Sequence, residues 1–116
     1  MPPRDWRERV TDMLRSVESI RRFTDGLDHD RFAAEERTVA AVLYQLVVLG
    51  EAASALPDEV AAAHPDVPWK QMRQMRNVVA HGYFGVDLRI IWETVQRDLP
   101  ALEVALRSLV PSDEDR

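Results

Sequence analysis

Between Val39 and Gly50 the chain holds one strongly polar residue, Gln45, inside a longer helical pattern from about Asp30 to Leu56. A helix that is apolar on nearly all sides must be covered on nearly all sides. A small bundle achieves this only by setting the helix at its centre or in a subunit interface. We expect a homodimer seam, with Ala41, Tyr44 and Val48 on the surplus face. The run is far shorter than the roughly 20 residues needed to span a bilayer.

Three further long helical patterns surround this one, and no stretch reads as a strand. The first runs from about Arg4 to Gly26. Its Trp6, Val10, Met13, Leu14, Val17 and Ile20 fall within an arc of roughly 120° at 100° per residue. A Pro-punctuated connection, Pro57 to Pro68, holds one short helix, Asp58 to Ala63. The third long helix begins at Pro68, where a missing N–H is harmless. It ends near His81, with Gly82 as a left-handed cap. Tyr83 to Val86 reads as a turn, after which Asp87 caps a fourth helix from Leu88. In that helix Leu88, Ile91, Trp92, Val95, Leu99, Leu102, Leu106 and Leu109 form a stripe about 100° wide. Pro100 should kink it or restart it after Asp98. The expected fold is therefore all-α: one domain, residues 1–116, an up-and-down bundle of four main helices plus a short connecting helix. The acidic tail 111–116 should fray.

Composition narrows the chemistry. The 116 residues include no Cys, which removes disulfides, thiolate metal sites and Cys nucleophiles. The first nine residues are charged and lack an apolar leader core, so a cytoplasmic protein is expected. A net charge of −5 disfavours indiscriminate binding to phosphate backbones. It leaves room for a local basic site. Lys70 is the only Lys, and the remaining cations are Arg, which grips phosphate in a fork.

The densest chemistry lies in Arg76-Asn77-Val78-Val79-Ala80-His81-Gly82-Tyr83. On the third helix Met72, Met75 and Val79 gather on one side. Lys70, Arg73, Asn77 and His81 gather opposite, within roughly 80°. Asn77 and His81 are i, i+4 neighbours. Such a row can hold a phosphate and shuttle a proton, or it can be an ordinary solvated face. Arg76 lies about 140° from His81, at the edge of the apolar side. Its guanidinium must reach round the helix or find a buried or interfacial acid, for which Glu51, which closes the apolar helix, is the candidate. Glu51 exposed at its helix end is the competing expectation. His29 and His64 read as loop residues. Trp6, Trp69 and Trp92 read as core. No His/carboxylate pair has metal-ligand spacing on one face, so no metal or other cofactor is expected.

The segment Arg76-Asn77-x-x-x-His81-x-Tyr83 resembles the Arg-x4-His-x-Tyr motif of HepT-like toxins, a branch of the HEPN superfamily. The Gly50-Glu51-Ala52 triplet, the Pro68-Trp69 helix start, the Tyr83-Phe84-Gly85 turn and the Trp92 helix running into Asp98-Leu99-Pro100 are similar to the family pattern in order and spacing. The resemblance implies a HEPN-like helical homodimer in which two copies of the motif meet in a cleft. It implies a metal-independent endoribonuclease acting on RNA, with Arg76 and His81 catalytic and Asn77, Arg73 and Glu51 supporting them or binding phosphate. It also implies a partner: an MNT-type nucleotidyltransferase antitoxin that silences the toxin by AMPylating Tyr83, in a complex that can extend to a higher hetero-oligomer. The alternative is a non-catalytic HEPN module that binds a nucleotide or docks on a nucleotidyltransferase.

Overall fold

A computed structural model describes residues 5–81 and 87–110 of the chain. Among these, seven α-helical segments follow one another: α1 Trp6–Thr24, α2 His29–Ala34, α3 Glu36–Ser54, α4 Asp58–Ala63, α5 Trp69–His81, α6 Leu88–Glu93 and α7 Leu99–Arg107. A π-helical turn, Thr94–Asp98, joins the last two. There is no strand among the described residues. The all-α expectation holds, as does the short connecting helix, which α4 matches residue for residue. The expected Gly82 cap, the Tyr83–Val86 turn and the tail 111–116 lie outside the described residues. No described helix is long and apolar enough to cross a membrane.

The apolar helix is central. α3 packs chiefly on α1 and α5, and its Val42, Leu43, Leu46, Leu49, Ala52 and Ala53 are buried. α1 contributes the expected stripe, with Val10, Met13, Val17 and Ile20 fully buried. Two neighbours do not cover α3 all round. Ala41 and Val48 are half-buried, and Tyr44 keeps 65% of its surface exposed. The surplus face anticipated from the sequence is thus open in the single chain.

Helix starts follow their caps. Asp5 accepts from the Arg7 N–H at 2.8 Å, Asp28 from Arg31 at 2.8 Å and Asp87 from Arg89 at 2.9 Å. Pro68 stands one position earlier than expected. Its carbonyl accepts from the Met72 N–H at 3.1 Å, which makes it the cap rather than the first helical residue. The connection before it is fixed by Trp69, whose buried indole N–H donates to the His64 carbonyl at 3.0 Å.

One long helix from Asp30 to Leu56 was expected, but the chain breaks at Glu35, where φ is −99° and ψ 88°. Neither Gly nor Pro marks the spot. The break serves packing: α2 contacts both α3 and α6, and Phe32, fully buried, meets the Trp92 ring at 5.2 Å between centroids. At Pro100 the sequence predicts a kink or restart, and the structure answers with a π turn. The Leu99 N–H reaches back to the Thr94 carbonyl, widening the helix by one residue just ahead of a residue that has no N–H to give.

α7 carries a buried acid. The Glu103 carboxylate is held by Arg107 at 2.9 Å and by Arg21 of α1, and Arg107 also reaches Glu18 at 3.0 Å. Burial pushes the Glu103 carboxyl up. The Arg107 hydrogen bond, together with the charge and hydrogen bond of Arg21, outweighs it and holds the pKa below the ordinary carboxylate value. The stabilisation is therefore complete above that ordinary value and is lost as pH falls through the depressed, folded-state one. Both guanidinia stay more than half exposed, which limits the contribution. Glu103→Gln is expected to cost about 1–2 kcal/mol near neutral pH. It should also flatten the acid limb of a stability-against-pH curve measured by urea unfolding.

Candidate active site

The site is built where α3 crosses α5. A Cβ placed on Gly50 would lie 2.6 Å from the Arg76 Cβ and 2.8 Å from the Met72 carbonyl oxygen. Only a hydrogen fits there, so the two helix backbones touch at the residue that carries the guanidinium. The next residue along α3, Glu51, then faces Arg76. The Glu51 Oε1 stands 3.5 Å from the Arg76 Nη1. The pairing expected from the sequence is present, but at the surface: Arg76 is 33% exposed and Glu51 62%. An ion pair so open contributes about 0–1 kcal/mol, so its effect is to aim the guanidinium rather than to hold the fold.

Asn77 is exposed, and its Oδ1 accepts from the Arg76 Nη2 at 3.5 Å, a long contact. Arg76 is thus flanked by two oxygens, Glu51 across the helix crossing and Asn77 beside it. On the polar side of α5, Arg73 is less open than Asn77. It is half-buried, and its Nε is enclosed with no hydrogen-bond partner among the described residues. Lys70 is exposed. His81 is the last residue of α5, and its helical backbone places it five residues after Arg76. The His81 side chain, Gly82 and Tyr83 lie outside what is described.

Other candidates resolve simply. His29 opens α2, with its Nδ1 3.2 Å from Asp30. His64 follows α4 and packs its ring 5.9 Å from that of Trp6. Trp69 is buried, while Trp6 and Trp92 are partly buried against the core. Among the described residues no three His, Cys, Asp or Glu side chains are grouped as metal ligands.

Reasoning from the helical wheel missed Gly50 as the residue that sets the crossing. Its signal was there: a Gly inside an otherwise strong helical pattern, where it costs about 1 kcal/mol relative to Ala, marks a close approach. Chemically, the crossing presents a forked cation restrained at a helix surface, about one and a half turns from one helix's end and beside another's. This arrangement suits an oxyanion that displaces Glu51 or sits beside it.

The family model described as "Ribonuclease HepT-like" matches residues 13–109. A protein of Thermococcus cleftensis named "Probable ribonuclease HepT" is 35% identical over 100 residues, covering 86% of this chain and 91% of that protein. A Methanocaldococcus jannaschii protein named "Putative RNase" is 34% identical over 119 residues, covering 99% and 98%. A protein of the same name from Caldanaerobacter subterraneus subsp. tengcongensis is 32% identical over 112 residues, covering 97% of each. No solved structure matches the chain. A model spanning the bundle from α1 to α7, and relatives a third identical along nearly their whole length, show that the chain belongs to the Ribonuclease HepT-like family.

Proposed function

We propose that the chain is a metal-independent endoribonuclease and the toxin of a toxin–antitoxin pair, working as a homodimer in the cytoplasm. The observation that carries this reading is the restrained Arg76, held beside Glu51 at 3.5 Å on a helix that ends in His81. Cleaving RNA without a metal takes a base for the 2′-hydroxyl, an acid for the leaving 5′-oxygen and cations for the phosphorane. One imidazole does not easily fill both proton-transfer roles in the same step. Two His81 residues across a dyad can divide them. Arg76 stabilises the developing charge, Asn77 orients His81 or the phosphate, and Arg73 adds a second cation. The open stripe of Ala41, Tyr44 and Val48 on α3 supplies the seam.

The partner in this reading is an MNT-type nucleotidyltransferase antitoxin. AMP attached to Tyr83, two residues from His81, sets bulk and negative charge where the substrate phosphate binds and shuts the site by sterics and repulsion. The chain and its antitoxin then assemble into a higher hetero-oligomer. A second reading, a non-catalytic module that docks on the transferase, draws on the net charge of −5. The two part in an RNA-degradation assay in EDTA on protein whose intact mass shows no added AMP. Cleavage is expected. A stable complex with the transferase and no cleavage by unmodified protein would favour the docking module.

A further inference from the structure

Alongside the Arg76–Glu51 pair, α1 and α3 leave an open groove of about 520 Å³. Its two banks differ in kind. On α1 it is lined by Arg9, Arg15 and Ser19, and on α3 by Val48, Ala52 and Glu51. Arg9 is half-buried and Arg15 exposed, and among the described residues neither makes an ion pair or hydrogen bond. Arg21, Arg76 and Arg107, by contrast, are each tied to a carboxylate. Asp12 lies between the two free guanidinia and is itself engaged.

We propose that this groove is the path by which single-stranded RNA runs on from the Arg76 site, with Arg9 and Arg15 each holding a flanking backbone phosphate. The inference rests on the nuclease reading above. A single strand has a phosphate edge and a face of ribose and base, and the groove offers two guanidinia flanking Asp12 on one bank and Val47, Val48 and Ala52 alongside Gln45 and Glu51 on the other. Glu51 lines the groove and grips Arg76, so a strand whose phosphate replaces that carboxylate enters the groove directly. Arg9 and Arg15 are six residues apart, roughly 9 Å along the helix axis, which suits two phosphates rather than one. Val48 belongs both to the groove and to the open α3 stripe, so the path borders the proposed seam.

The test is binding of a labelled single-stranded RNA of about twelve nucleotides, across a salt series, to a His81→Ala chain that leaves the strand uncut. The same chain carrying Arg9→Gln and Arg15→Gln should bind on the order of tenfold more weakly. Its log–log salt slope should fall by about 1.4, the share of two phosphate contacts on a single strand. The loss should shrink on a trinucleotide too short to leave the Arg76 site, and Arg9→Lys with Arg15→Lys should restore most of the affinity and slope. Circular dichroism checks that each variant is folded. Equal affinity and slope in parent and Gln variant, with a parent that binds RNA, overturn the groove alone. A parent that binds no RNA overturns the nuclease reading and the groove with it. Break-up of a dimer by Arg15→Glu in the absence of RNA also overturns the proposal, because the groove is then a seam between copies.

Discussion

Arg76→Ala is expected to slow RNA cleavage by roughly 10²–10³-fold, the usual loss when one preorganised donor to a developing oxyanion is removed. The fold should survive the change. The Arg76–Glu51 pair is open to water on both sides, and its stem rather than its charge is what packs at the Gly50 crossing. The melting temperature should therefore move by only a few degrees, about what a loss near 1 kcal/mol produces in a domain of this size. Arg76→Lys keeps the charge but loses the planar fork, and should recover only part of the rate. Initial rates on a labelled RNA beside thermal unfolding check this. A folded Arg76→Ala chain that cleaves at the wild-type rate would remove Arg76 from the chemistry.

Substitution at Gly50 should damage both fold and site. Alanine is a better helix former than glycine by about 1 kcal/mol, so an ordinary mid-helix Gly→Ala change stabilises. Here the added methyl meets the Arg76 Cβ at 2.6 Å and a main-chain oxygen at 2.8 Å, and neither is the far end of a flexible side chain. α3 and α5 must part. Overpacking of this kind costs typically 1–3 kcal/mol and outweighs the propensity gain. Gly50→Ala should lower stability on the order of 1–2 kcal/mol net, and Gly50→Val by more. Because the displaced residue is Arg76, cleavage should fall further than the unfolded fraction explains. Urea unfolding with rates measured well below the transition separates the two effects. A Gly50→Ala chain more stable than wild type would mean that the helices do not meet as described.

Much of this was legible in the residues because periodicity reports burial. The stripe on α1 and the nearly all-apolar α3 gave the bundle, and the capping Asp87 gave the start of α6. The Arg76–Glu51 pair was legible because a cation at the edge of an apolar face stands opposite an acid closing an apolar helix, although the pair lies at the surface rather than buried. The break at Glu35 was not legible. It has no local signal and answers to Phe32 finding Trp92 some sixty residues away, a tertiary demand that propensity does not record. The half-burial of Arg73 was not legible, because the wheel assigns direction but not the height of neighbouring helices. Arg9 and Arg15 passed as part of α1's ordinary charged face until the groove beside α3 gave them a position.

In the proposed reaction His81 moves the proton while Arg76 holds the phosphate, with no metal taking part. The most direct measurement is RNA cleavage in excess EDTA by wild type and His81→Ala, purified separately and matched for intact mass. We predict that the wild-type chain degrades the RNA and the variant leaves it whole. RNA cut equally well by a clean His81→Ala preparation would contradict the assignment.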